Sequence, residues 1–91
     1  MKIEYSSLFL KDLKKLKYIA NYLSIKRICF NKKKKKETLL QVKNIKKIKG
    51  YISYYRIRIG DYRVGIKEEE GTIILMRVLH RKDIYKFFPN L

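Results

Sequence analysis

The stretch "YYRIRIGDYRVGI" (54–66) carries three arginines, Arg56, Arg58 and Arg63, among residues that otherwise alternate like a half-buried β-hairpin. If Gly60 and Asp61 form a two-residue loop, Ile59 faces Tyr62, Arg58 faces Arg63, Ile57 faces Val64, Arg56 faces Gly65 and Tyr55 faces Ile66. That register collects Tyr55, Ile57, Ile59, Tyr62, Val64 and Ile66 on a core side. It leaves Arg56, Arg58, Arg63 and Lys67 on the other, with open space expected beside Gly65. Like charges directly opposite across strands are destabilising, so Arg58 against Arg63 asks for an anion between them. A guanidinium is planar, always charged and offers parallel hydrogen bonds, which makes phosphate the fitting anion. A merely solvated face would be served as well by lysine, glutamate and threonine.

A second group follows in "TIILMRVLHRKDIYKFFP" (72–89). The strand expected over Thr72–Leu79 is apolar on both faces except at Arg77, the mark of a covered central strand. If Ile74, Met76 and Val78 point to the core, Arg77 and Arg81 join the hairpin arginines. His80, the single histidine, then stands between those two, and Tyr85 follows within about a turn. A histidine at a strand end is ordinarily structural. Beside a tyrosine and an arginine cluster it becomes a candidate for acid–base work.

The rest of the chain must position these groups. "KIEY" (Lys2–Tyr5) alternates as a short strand, and Ser6 or Ser7 can cap a helix in which Phe9, Leu13, Leu16 and Ala20 recur at helical spacing. About thirty residues without Gly or Pro are too many for one helix in so small a globule, so a break is expected near Tyr18–Asn21. A second helix would carry Leu23, Ile25, Ile28 and Cys29 into the lysine run Lys32–Lys36. That run suits a solvated helix end, where cations meet the negative end of the dipole, and equally a polyanion contact. Leu39–Gly50 resembles a connector laid against the domain, with Lys43, Lys46, Lys47 and Lys49 exposed and available to nucleic acid. Strands are expected at Tyr54–Ile59, Tyr62–Glu68 and Thr72–Leu79, then a short helix ending at Pro89. The class is α+β in the order β-α-α-β-β-β-α, with two N-terminal helices on one face of a small antiparallel sheet.

Residues 1–91 are expected to form one domain, and a chain this short buries only about two-thirds of its unfolded surface. Lys and Arg number 24 against 8 Asp and Glu, a net charge of +16 on a chain that is still 46% hydrophobic. Such a field attracts polyanions: nucleic acid, an anionic surface or an acidic protein. One cysteine, Cys29, excludes an intramolecular disulfide, and zinc or iron–sulfur spacing is missing. With no export signal and no membrane span, a reducing cytoplasm is the expected setting.

Taken together, the lysine-rich segment ending at Gly50, "YYRIRIGDYRVGI" and "RVLHRKDIYKFFP" resemble the RelE/ParE family of bacterial and archaeal type II toxins, in its "HRKDIYK" subgroup. The resemblance spans nearly the whole chain in order. It implies a metal-independent, cofactor-free endoribonuclease that enters the ribosomal A site and cuts mRNA, the ribose 2′-hydroxyl attacking the adjacent phosphate. It also implies an acidic antitoxin as partner and no membrane. By position, Arg56 and Arg58 match the family's basic pair on the first hairpin strand. Arg63 matches the arginine of the next strand, Arg81 the one after the last strand, and Tyr85 the C-terminal tyrosine. The best-known RelE enzymes have lysine in the first pair, where a base role is assigned. Arginine cannot readily act as that base, which leaves His80, Tyr85 or a group from the RNA or ribosome. The other reading within the same fold is a ParE-like DNA gyrase inhibitor, and a third is a non-catalytic RNA-binding module.

Overall fold

The computed structural model describes residues 2–30 and 45–89. Strand β1 (Lys2–Tyr5) leads into Ser6, whose hydroxyl oxygen accepts from the Phe9 N–H at 3.0 Å and caps helix α1 (Ser7–Lys15). The same hydroxyl donates to the Met76 carbonyl at 2.7 Å, so the cap also pins the helix start to the sheet. Helix α1 buries Phe9, Asp12 and Leu13. After turns over 16–21, helix α2 (Tyr22–Phe30) buries Ile25 and Cys29, while Leu23 lies 70% exposed and is not part of the core. The lysine run Lys32–Lys36 and Lys43 lie outside the described residues.

Strands β2 (Ile45–Lys47), β3 (Tyr54–Ile59), β4 (Tyr62–Glu69) and β5 (Thr72–His80) complete a five-stranded sheet in the order β1-β5-β4-β3-β2. The β3–β4 register is the expected one, pair for pair from Tyr55–Ile66 to Ile59–Tyr62. Two corrections concern the edges. Part of the expected connector is strand β2, antiparallel to β3, so among the described residues the elements follow one another as β-α-α-β-β-β-β-α. The sheet is also mixed rather than antiparallel throughout, because β1 runs parallel to β5.

Helices α1 and α2 cover one face. Phe9, Leu13, Ile25 and Cys29 pack with Ile57, Ile59, Val64, Ile66, Ile73, Leu75 and Val78 in one cluster. Each such aliphatic or aromatic side chain contributes about 1.5–3 kcal/mol on burial. The face of β5 differs from expectation: Ile73, Leu75 and Val78 are buried, not Ile74 and Met76. The cause is a bulge. Gly65 pairs with Arg77 and Ile66 with Leu75, so Met76 is an extra residue that shifts the alternation by one. A short helix, α3 (Ile84–Phe87), lies on the opposite face, where Phe88 packs fully buried onto Gly65. Among the described residues no helix is long and apolar enough to cross a membrane.

Candidate functional site

The site is built on the sheet face away from α1 and α2. Alternation along β3 and β4 puts Arg58 directly opposite Arg63 and, in the next row, Lys46 of β2 opposite Arg56. Gly60, with a φ of 59°, opens the hairpin loop in a conformation that glycine adopts without penalty. The Arg63 guanidinium curls back to this loop, its Nη1 donating to the Gly60 carbonyl at 2.9 Å and to the Tyr62 carbonyl at 3.1 Å. Its Nε and Nη2 hydrogens have no partner among the described residues. Arg81 is held at the same end, its backbone N–H donating to the Asp61 carbonyl at 2.8 Å and its Nε lying 3.8 Å from the Asp61 carboxylate.

Partial burial, and after it the charges of Arg56 and Arg58, push the Arg63 guanidinium below its ordinary pKa. Arg81 acts in the same direction and the Tyr85 phenol against it. Arg63 is thus the electrostatic centre of a group comprising Arg56, Arg58, Arg81 and Tyr85. Such a concentration of like charge is costly without a counter-ion and favours a phosphate that can take several forks at once.

Tyr85 is 56% exposed on α3, which is seated by fully buried Ile84 and Phe88. Gly65, expected to leave space, is filled: a Cβ there would come within 2.6 Å of the Phe88 ring. The glycine is the socket for that ring, and Tyr54 meets the ring edge-on at 5.6 Å. Phe87 is 48% exposed, with its ring beside the Arg77 guanidinium at 5.5 Å, and does not help to seat the segment.

His80, Arg77 and Lys67 stand apart from the group. His80 pairs with Tyr62 and meets its ring edge-on at 5.4 Å, on the helix-covered face, while Leu79 is the residue opposite Arg63. Its Nδ1 accepts from the Lys82 N–H at 3.1 Å, so it holds the turn into α3. Arg77 reaches around the free edge of β5 to Asp12 of α1, its Nε donating at 2.7 Å and its Nη2 at 3.1 Å. Asp12 also accepts from the Val78 N–H at 3.2 Å, so one buried carboxylate closes the strand edge and neutralises the arginine. Lys67 lies 3.5 Å from Glu69 and over the Tyr54 ring.

Lys46, Lys47 and Lys49 border a cleft of about 530 Å³ between β2 and α3, whose walls include Arg56, Tyr85 and Tyr51. Sequence reasoning missed Tyr51 as part of this site and Asp12 as the partner of Arg77. A glycine in mid-strand was the available signal for a close neighbour at Gly65. Among the described residues no group of His, Cys, Asp and Glu could hold a metal ion.

A family model described as the ParE toxin of the type II toxin–antitoxin system parDE matches residues 3–85. Toxin RelE3 of Methanocaldococcus jannaschii is 45% identical over 95 residues, spanning 98% of this chain and all of that protein. The chain belongs to the RelE/ParE family of type II toxins. Its fold matches the toxin of a RelB–RelE antitoxin–toxin complex from Methanococcus jannaschii with a TM-score of 0.67 at 44% identity, over 94% of this chain and 99% of that one. A likeness in fold alone extends to the RelBE2 complex of Mycobacterium tuberculosis, with a TM-score of 0.64 at 18% identity over 88% and 96% of the two chains. As a RelE/ParE toxin, the chain keeps the α+β frame and devotes its open sheet face to the arginine group.

Proposed function

We propose that this toxin is a ribosome-dependent mRNA endonuclease whose active site is the arginine face. The placement of Arg58 directly opposite Arg63, with Arg56 on the same face, Arg81 tied to the hairpin loop and Tyr85 across a cleft from Arg56, carries the reading. In transesterification the 2′-hydroxyl gives its proton to a base from the RNA or the ribosome as its oxygen attacks the adjacent phosphorus, a dianionic phosphorane forms, and the bond to the 5′-oxygen breaks as that oxygen takes a proton, giving a 2′,3′-cyclic phosphate and a free 5′-hydroxyl. Arg58 and Arg63, facing each other, bind the phosphate and stabilise the added charge as it develops. Arg56 and Arg81 extend the charge to either side. Tyr85, 56% exposed on α3 and so open to the leaving oxygen, is the proton donor. His80 takes no part, because it faces α1 rather than the arginines.

Ribosome dependence is supported by the charge of +16, which exceeds what one phosphate needs and suits docking on ribosomal RNA. The antitoxin partner is an acidic protein segment laid over the arginine face, with binding that tightens at low ionic strength. The match to a ParE-described family model favours a second reading, a gyrase-binding toxin that cuts no RNA. Primer extension on cellular messages after induction, run beside a supercoiling assay with purified gyrase, separates the two. New 5′ ends within translated frames that vanish with Arg63→Ala support the nuclease, and gyrase inhibition without them overturns it.

A further inference from the structure

The cleft between β2 and α3 has a composition that phosphate binding alone does not require. Its volume of about 530 Å³ falls within the range of small-ligand sites, roughly 300–1,000 Å³. Lys46, Lys49 and Arg56 supply positive charge, Tyr51 and Tyr85 supply exposed rings, and among the described residues no acidic side chain lines it. A ligand that satisfies both halves is an anion with a π-face, which describes a single nucleotide of an RNA strand.

Tyr51 is the group no part of the cleavage chemistry uses. It is 45% exposed yet held in place, since its ring meets Tyr54 edge-on at 5.9 Å, and Tyr54 in turn meets Phe88. The backbone turns sharply on both sides of it, with positive φ at Gly50 (87°) and at Ser53 (69°). A serine in that conformation is strained, and the strain is maintained by ties to the sheet: Ile48 N–H to the Tyr54 carbonyl at 2.9 Å and Glu68 N–H to the Ser53 carbonyl at 2.8 Å. The loop therefore presents a fixed ring at the mouth of a basic cleft.

We propose that this cleft is a nucleobase subsite for single-stranded RNA, in which Tyr51 stacks on the base of the nucleotide next to the phosphate held by Arg58 and Arg63. The inference rests on the nuclease reading for its ligand, and Arg56 joins the two places: it lines the cleft and is also one of the charges felt by Arg63. Lys46, opposite Arg56 across β2 and β3, continues the same row and receives the next phosphate along the strand.

The test uses the full chain and fluorescent 2′-O-methyl tetranucleotides, which cannot be cut, with an abasic residue placed at each position in turn. Anisotropy at low salt is expected to find one position at which loss of the base weakens binding by about 5- to 100-fold, the value of one base–aromatic stack. Tyr51→Ala is expected to cost a similar factor on the intact strand and nothing more on that abasic strand, while Tyr51→Phe binds as the wild type does. Binding indifferent to every abasic position overturns the proposal, and so do penalties from Tyr51→Ala and the abasic residue that multiply. Because the probe lacks a 2′-hydroxyl, these outcomes are independent of cleavage. Failure of the nuclease reading registers instead as a wild-type protein that leaves translated messages intact.

Discussion

Gly65→Ala tests the seating of Tyr85, the proposed proton donor, from a distance. The new methyl group would lie 2.6, 2.7 and 2.8 Å from three ring carbons of Phe88, about 1 Å inside normal carbon–carbon contact. Phe88 is fully buried, so its ring cannot swing clear without α3 lifting. Losing that burial costs about 1.5–3 kcal/mol, and alanine in a strand returns roughly 0.5–1 kcal/mol relative to glycine. The net is about 1–2 kcal/mol, which lowers the Tm of a domain this size by roughly 4–15 °C. The same shift carries Tyr85 with α3, and a misplacement on the order of 1 Å costs about 10²-fold in rate. Thermal melts and single-turnover cleavage measure the two effects, and Gly65→Ala/Phe88→Leu, with a smaller side chain over the socket, should recover part of the stability. A Gly65→Ala protein as stable and as active as the wild type would refute both the socket and its link to Tyr85.

Asp12→Ala leaves the partly buried Arg77 guanidinium and the Val78 N–H without their partner, so urea unfolding should register a loss of about 1–3 kcal/mol, whereas Asp83→Ala, removing an exposed pair with Lys86, should change stability by less than about 0.5 kcal/mol. Arg58→Ala relieves the repulsion across the hairpin and should leave the Tm unchanged or raise it by the equivalent of about 0.2–1 kcal/mol, while toxicity on induction is lost. Burial, with Cys29 adding to it, raises the Tyr5 phenol above its usual pKa of 10.0. The neutral form is therefore favoured on folding, and its contribution is present below about pH 10 and lost as pH rises through the folded value. Tyr5→Phe should lose about 1 kcal/mol at neutral pH with its hydrogen bond to the Cys29 carbonyl, and should show a shallower stability loss in alkaline urea titrations.

The meander was legible because its information is local. A two-residue loop fixes the register of β3 against β4, and a period of two then separates arginines from core residues without knowledge of the rest of the chain. Features set by distant partners were not legible. Strand β2 is three residues long and reads Ile-Lys-Lys, with no alternation to mark it, and only its pairing with β3 makes it a strand. The bulge at Met76 brought Ile73 and Leu75 into the core in place of Ile74 and Met76, and the pairing of Arg77 with Asp12 joins residues 65 positions apart. No spacing in "TIILMRVL" carries either feature. Arginines at 56, 58 and 63 were read correctly as one face because a hairpin joins them, while Tyr51 was overlooked because its role depends on a cleft formed with α3.

Single-turnover cleavage of message on programmed ribosomes, with wild type, Tyr85→Phe and Tyr85→Ala compared and the product ends identified, tests the central claim most directly. The account predicts a 2′,3′-cyclic phosphate and a 5′-hydroxyl. Tyr85→Phe should be slowed by about 10²–10⁴-fold, because the ring remains and the proton is gone. A Tyr85→Phe rate within a few-fold of wild type would contradict it, and so would a wild-type protein that leaves the message intact.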